Sequence, residues 1–421
     1  MTTFDEERAP GASGTALSRR TLLAGAALGP LLAAGAGPAS AVTSSGRRHG
    51  SSGAPTAPLG PVTVFAPPPQ APLPGVKYAR VVRSDDGVDV RGRRYRPRTL
   101  HATLENLYDA QDYAFPVFTS LDDGRSWQRV GAVQDAVTGA RPRWQPFLYA
   151  LPRPFAGLPA GALLCAGNTI PDDFSSTAMT VFASVDGGRT WRFLSTVVTG
   201  GPPIPNNGET PVWEPFLLLH RGRLICYYSD QGDPAHGQKL AHRTTIDLRA
   251  WGPPVDDQAD PDYERRPGMT TVARLPRGRW IMTWEDGNNP DVSFGVAYKI
   301  AGDPEAFGGL PWQLLRTTSG EVPIGSPYVT WSPAGGREGT IVVSAGENEP
   351  LFVNAEGGAP DRWRTLDSLV PRGYSRQVQA FDERSLMTIG GGPGNFPPPG
   401  MNQVQFALDP VPSGPRPRWR G

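Results

Sequence analysis

Two segments of the chain carry one eight-residue pattern. Ser120-Leu121-Asp122-Asp123-Gly124-Arg125-Ser126-Trp127 and Ser184-Val185-Asp186-Gly187-Gly188-Arg189-Thr190-Trp191 both fit S-x-D-x-G-x-[ST]-W. The pattern describes a hairpin turn: Asp accepts backbone N–H bonds, Gly takes the positive φ, and Trp packs beneath the loop. β-rich runs at 115–119 and 179–183 lead into the two turns. Degenerate copies follow. Thr245-Ile246-Asp247-Leu248-Arg249-Ala250-Trp251 keeps the Asp and the Trp, and Trp312 and Trp363 end similar segments. Successive tryptophans lie 64, 60, 61 and 51 residues apart. That period suits a four-stranded unit which buries its faces only against neighbouring copies. Composition agrees, since 51 Gly and 47 Pro among 421 residues leave few uninterrupted helices.

The eight-residue pattern resembles the Asp-box of sialidase-type β-propellers. The expected fold is therefore all-β, a six-bladed, sialidase-like β-propeller, with residues 75–421 divided into blades of about 58 residues. A second repeat marks the start of each blade. Trp144-Gln145-Pro146-Phe147-Leu148 and Trp213-Glu214-Pro215-Phe216-Leu217 are nearly identical. Pro267-Gly268-Met269-Thr270, Ser326-Pro327-Tyr328-Val329 and Tyr374-Ser375-Arg376-Gln377 hold the corresponding place later. Innermost strands of a propeller line its central channel, where ligands bind.

The remaining segments place the chain in a setting. Ser18-Arg19-Arg20-Thr21-Leu22-Leu23, a short apolar stretch and Ala39-Ser40-Ala41 compose a twin-arginine export signal over 1–41, so the mature protein is expected outside the cell. Residues 42–74, rich in Ser, Gly, Pro and Ala, read as a disordered linker before the fold. Charge is balanced at 41 basic to 40 acidic residues, which offers no footprint for nucleic acid or anionic membrane. Cys165 and Cys226 sit in equivalent strings, 162–165 and 223–226, and are expected as free buried thiols. No His/Cys spacing suggests a metal, no cofactor motif is present, and a monomer is expected.

The chemistry is expected where the repeat departs from itself. Gln145 occupies in one blade the place of Glu214 in the next, so the fold does not require a carboxylate there. Glu285 closes an apolar strand, 280–284, just before a polar loop, where partial desolvation would tune a carboxyl group. Two carboxylates facing one channel are the parts of a glycosidase, one to protonate the departing oxygen and one to attack or to activate water. Trp213, Trp284 and Tyr374 would stack on sugar faces, and Tyr374 would donate a hydrogen bond to the nucleophile or substrate. Glu105 holds a strand position comparable with Glu285 and would bind hydroxyls or neutralise an Arg. His236, in the loop Asp233-Pro234-Ala235-His236-Gly237, would face substrate or cap its loop.

Longer blocks carry a closer resemblance. Residues 212–217 (V-W-E-P-F-L), 227–231, 233–240, 266–272 and 282–285 (M-T-W-E), with Gln145-Pro146-Phe147-Leu148 leading to Ala166-Gly167-Asn168-Thr169-Ile170-Pro171, look like the exo-1,5-α-L-arabinanases of glycoside hydrolase family 93. The likeness spans about residues 75–410. It implies a six-bladed propeller that releases arabinobiose from linear arabinan with retention, with Glu214 as acid/base, Glu285 as nucleophile and Tyr374 beside the nucleophile. Gln145 and Arg266 fall in the same blocks and join Glu105, Trp213, His236 and Trp284 as expected substrate contacts. Trp284 and Asp286, flanking Glu285, depart from the family's pattern and put substrate length and linkage in question. Two rivals share the fold. A sialidase would clamp a carboxylate with three arginines, but the first strand lacks the F/Y-R-I-P segment; a glycan-binding propeller would not need two facing carboxylates.

Overall fold

The computed structural model describes residues 57–68, 76–84, 99–106, 113–392 and 403–411. Six four-stranded antiparallel sheets follow one another along the chain, as the tryptophan period requires. Blade one begins at Val76–Ser84, blade two at Arg141–Ala150 and blade three at Val212–His220. Blades four, five and six begin at Arg266–Arg274, Tyr328–Ser332 and Gln377–Ala380. These six first strands face the central channel, and each blade's later strands lie successively further out. Among the described residues the only helical turn is Pro276–Gly278.

Burial follows the stacking of sheet on sheet. The second strand of blade two, Leu163–Ile170, is buried at every position, because both its faces meet neighbouring blades. The fourth strand, Arg192–Gly200, alternates toward solvent. Leu164, Val181, Tyr227, Met282 and Trp284 belong to one continuous apolar cluster running through these blades. Cys165 and Cys226 are free and buried, opposite Leu148 and Leu217 at equivalent places of neighbouring blades.

One boundary differs from the sequence reading. The strand Leu59–Phe65, placed in the linker by its Pro and Gly content, is the outermost strand of blade six and pairs with Val404–Pro410. Gly60-Pro61 interrupts its apolar residues Leu59, Val62, Val64 and Phe65, which hides the strand in sequence, but an edge strand tolerates Pro and needs only one apolar face. The export signal, 1–41, lies outside the described residues.

The two S-x-D-x-G-x-[ST]-W turns join third to fourth strands, at the end of the blades away from the first-strand starts. Their hydrogen bonds match. Ser120 Oγ accepts from Gly124 N at 2.8 Å, Asp122 accepts from Ser126 N at 2.9 Å, and Trp127 Nε1 donates to Gly124 O at 3.1 Å. The second turn repeats this through Ser184, Asp186, Thr190 and Trp191. In the degenerate third copy Leu248 takes the glycine's place at φ 62°, and Trp251 Nε1 turns instead to Ser195 Oγ.

Candidate active site

The antiparallel pairing brings the start of each first strand beside the end of each second strand, at one mouth of the channel. There the chain kinks in every blade, inside the first strand of blades one to four and two residues before it in blades five and six. Tyr78, Gln145, Glu214, Met269, Ser326 and Ser375, one per blade, all have positive φ between 34° and 61°. In blades one to four the pairing register slips at that residue, as a β-bulge does. An L-residue in this region is strained, and its recurrence in six blades marks a shared device that re-aims a side chain into the channel.

The strain is held by hydrogen bonds passed from blade to blade. Gln145 N donates to Glu105 Oε1 at 2.9 Å, and Glu214 N to Gln145 Oε1 at 3.0 Å. Met269 N donates to Glu214 Oε2 at 3.1 Å, Ser326 N to Glu285 Oε2 at 2.6 Å, and Ser375 N to Ser326 Oγ at 3.1 Å. Arg80 closes the ring, donating to Ser375 O at 2.8 Å and Ser375 Oγ at 2.6 Å.

Glu214 and Glu285 face the same space from blades three and four. A Cβ on Gly268 would lie 3.7 Å from Glu285 Oε1 and 3.8 Å from Glu214 Oε2, so the missing side chain keeps the gap between the carboxyls open. Glu214 also accepts from Ser229 Oγ at 2.7 Å and, more loosely, from Tyr78 Oη at 3.4 Å. Burial raises the pKa of Glu214, with those donors and Arg266 opposing. Burial and the neighbouring Glu214 push Glu285 up to about 7. Tyr374 is hydrogen-bonded to Tyr78 with ring centroids 5.5 Å apart, and burial drives both phenols well above their usual range, so both act as neutral donors. The space beside Glu214 is lined by Tyr78, Arg80, Gln145, Met269 and Ser375. Phe147 and Phe216, with ring centroids 4.6 Å apart, also line it, and Tyr328 packs on Phe216 at 6.1 Å.

Arg266 lies within electrostatic reach of both carboxyls and is fixed by Gln231 Oε1 at 3.0 Å and Gln238 Oε1 at 2.9 Å. Glu105 is buried, with a pKa raised to about 7 by burial against the pull of Lys77 and Arg80. It pairs in register with Lys77 as Glu285 does with Gly268, the equivalence expected from the repeat. Through Gln145 it steadies the backbone of Glu214.

Trp284 does not line the channel. Strand alternation turns it away from Glu285, and it is fully buried against Trp312 at 5.9 Å and under the Lys299 ammonium. Asp286 likewise points outward, paired with Arg265 and accepting from Asn289 Nδ2 at 2.9 Å. Trp213 is nearly buried, its Nε1 donating to Gln231 Oε1 at 2.7 Å. His236 donates through Nδ1 to the Asp260 carbonyl at 2.7 Å, which ties its loop to the loop before blade four. Tyr78, Arg80, Ser229 and Lys77 were missed. Tyr78 could have been found by aligning blade one with the five other blade starts.

Comparison with known proteins places this arrangement. A structure of a GH93 α-L-arabinofuranosidase of Fusarium graminearum with arabinobiose is similar at 40% identity, covering 84% of this chain and 98% of that one, with a TM-score of 0.77. An α-L-arabinanase of Penicillium chrysogenum complexed with arabinobiose is similar at 38% identity, over 84% of this chain and 99% of that one, TM-score 0.76. A glutamate-to-alanine mutant of the Fusarium enzyme, bound to an iminosugar inhibitor, is 39% identical over the same shares, with a TM-score of 0.77. No protein-family model matches the chain, and no curated protein matches it.

Proposed function

The chain belongs to glycoside hydrolase family 93, and from that premise we propose that it is an exported, retaining exo-hydrolase releasing arabinobiose from α-1,5-linked L-arabinan. The family is one of glycoside hydrolases, and arabinobiose bound to two similar proteins supports an arabinan-derived substrate. The observation that carries the reading is the meeting of Glu214 and Glu285 over Gly268.

In the mechanism Glu285 Oε1 attacks the anomeric carbon while Oε2 stays held by Ser326 N–H. Glu214 gives its proton to the glycosidic oxygen as the bond to the departing chain breaks. A water, deprotonated by Glu214, then releases the sugar from Glu285, and retention follows from two inversions. Chemistry needs Glu285 ionised and Glu214 protonated. Without substrate the coupled pair favours the proton on Glu285, the partner with fewer hydrogen-bond donors to its carboxylate. Sugar hydroxyls donating to Glu285, together with the neutral Tyr374, would stabilise the carboxylate and send the proton to Glu214. Glu105 with Gln145 holds the backbone of Glu214, Arg266 adds positive charge near both glutamates, and Trp213 braces the Gln231 that holds Arg266.

Product analysis on linear 1,5-arabinan beside sialyllactose tests the reading. Arabinobiose is expected from the first minutes, with little loss of viscosity and with its anomeric proton first seen in the α configuration. Sialic acid released with no arabino-oligosaccharide would overturn it, as would binding without turnover.

A further inference from the structure

Three aromatic rings rise from the catalytic wall to the open face of blade two. Trp213, immediately before Glu214, stacks on Trp144 at 6.2 Å with planes 29° apart, and Trp144 meets Phe174 at 6.2 Å. Exposure climbs along the row: Trp213 is 7% exposed, Trp144 half-buried and Phe174 43% exposed. The outer end is buttressed. The guanidinium of Arg143, itself buried, lies 3.8 Å from the Tyr113 ring centroid and 4.8 Å from that of Phe174, and donates to Ile170 O at 3.0 Å and to Asp172. Phe174 stands at the tip of a turn closed by its N–H to Pro171 O, with φ 55°. A bulky residue in left-handed backbone, presenting an exposed ring, is unfavourable on both counts, and neither cost serves the core.

We propose that the Trp144–Phe174 platform is the binding subsite for the leaving-group side of the arabinan chain, beyond the bond that is cut. The inference rests on the reading of the chain as an arabinan hydrolase with Glu214 as proton donor. A proton donor must reach the oxygen carried off by the departing chain, so that chain lies on the donor's side of the bond. The platform starts at Trp213, whose Nε1 shares Gln231 Oε1 with Arg266, and runs through Trp144 to Phe174 in blade two, away from Glu285 in blade four. It offers apolar ring faces to the C–H faces of furanose units, with Arg143 and Asp172 at its edge for their hydroxyls. A counterpart on the nucleophile's side, Phe294 in blade four, is 46% exposed at φ 59° and is the natural comparison.

The experiment compares kcat/KM for 1,5-arabinohexaose and 1,5-arabinotriose in wild type, Phe174→Ala, Trp144→Ala and Phe294→Ala, with thermal unfolding of each. The wild type is expected to prefer the hexamer. Phe174→Ala is expected to cut the hexamer-to-trimer ratio about tenfold, a loss of the size one aromatic contact supports. Phe174 sits on an exposed loop tip, so its variant remains informative should Trp144→Ala fail to fold. An unchanged ratio in an active, folded Phe174→Ala overturns the subsite and leaves the hydrolase reading standing. So does a ratio that shifts in Phe294→Ala alone, since the chain would then leave over blade four. A wild type inactive on both oligosaccharides instead removes the hydrolase reading itself, and the subsite with it.

Discussion

Glu214 and Glu285 differ less in burial than in company. Glu214 accepts from Ser229, Met269 N and Tyr78, whereas Glu285 accepts from Ser326 N with its other oxygen toward Gly268. A nucleophile needs that free lone pair, and an acid/base needs donors that adapt to both protonation states. Glu285→Ala is expected to lose activity by about 10⁴-fold or more and to recover turnover with azide, giving an inverted glycosyl azide. Glu214→Ala is expected to lose about 10²–10⁴-fold on arabinan, to keep cleaving aryl substrates with good leaving groups, and to give a retained azide adduct. Exchanged stereochemistry between the two adducts would exchange the roles. Gly268→Ala, whose Cβ would fall 2.9 Å from Gln238 Nε2 and 3.7–3.8 Å from the two carboxyls, is expected to displace Gln238 and the Arg266 it holds and to lower turnover; full activity would show that neither the gap nor this support matters to the reaction. Stability should also follow pH. Because burial raises Glu285 from 4.5 to about 7, its contribution is intact below pH 4.5 and is lost as pH rises through 7. The shift corresponds to at most about 3 kcal/mol, and contact with channel water reduces it to about 1–2 kcal/mol. Glu285→Gln should therefore be more stable than wild type at pH 8 and no more stable at pH 4; identical pH profiles of thermal unfolding would refute this. That Glu214 and Glu285 face one space could be read ahead, Glu214 from its contrast with Gln145 in the repeat and Glu285 from its place at the end of an apolar strand. Trp284, next to Glu285 in sequence, does not reach the channel, because successive strand residues face opposite sides.

Two elements recur, one at each end of the blades: the hand-off in blades two to six, and the turn in blades one and two with a degenerate copy in blade three. At the catalytic end the left-handed residue in or just before the first strand hands its N–H to a side chain of the preceding blade, so neighbouring blades are registered where chemistry needs them. At the far end the S-x-D-x-G-x-[ST]-W turn pins third strand to fourth, and Gly124, at φ 87°, lies against Phe406 of blade six. A Cβ there would fall 2.1 Å from the Phe406 ring, so Gly124→Ala combines backbone strain with overpacking and is expected to cost about 2–4 kcal/mol. Gly139, also left-handed at φ 77° but with nothing within 4 Å of its would-be Cβ, isolates the backbone part: Gly139→Ala should cost about 1 kcal/mol. Equal denaturant midpoints for the two variants would show that the turn does not pack on blade six. The turn could be read from sequence because its hydrogen bonds are local, between residues two to four apart. The hand-offs could not, because they join residues 40 to 69 apart whose types differ in every blade.

Closure of the ring depends on residues the sequence set aside. Blade six takes three strands from the end of the chain and the fourth, Leu59–Phe65, from before blade one. On the channel side the same seam is closed by side chains: Gln377 accepts from Val81 N at 2.6 Å and donates to Val81 O at 3.1 Å, above the Arg80–Ser375 bonds. The outer strand covers Phe406 and Leu408, both fully buried, and brings Val64 into the core and Phe65 to 5.5 Å from Phe118 of blade one. Without it Val404–Pro410 becomes an open, apolar sheet edge, the kind of surface that recruits other strands. A chain beginning at residue 69 is therefore expected to be less stable than one beginning at residue 57 by about 3–5 kcal/mol, from the lost burial of three apolar side chains and a strand's hydrogen bonds. It should unfold at lower temperature and aggregate on concentration. A peptide of residues 57–68 added in excess should raise its unfolding temperature, by binding the folded state at the vacant edge. Catalytic parameters at low temperature should change little, since the strand is the one farthest from the channel in its blade. Equal unfolding temperatures for the two chains, with no response to the peptide, would mean that Arg80 and Gln377 close the ring unaided and that the outer strand is only laid against it.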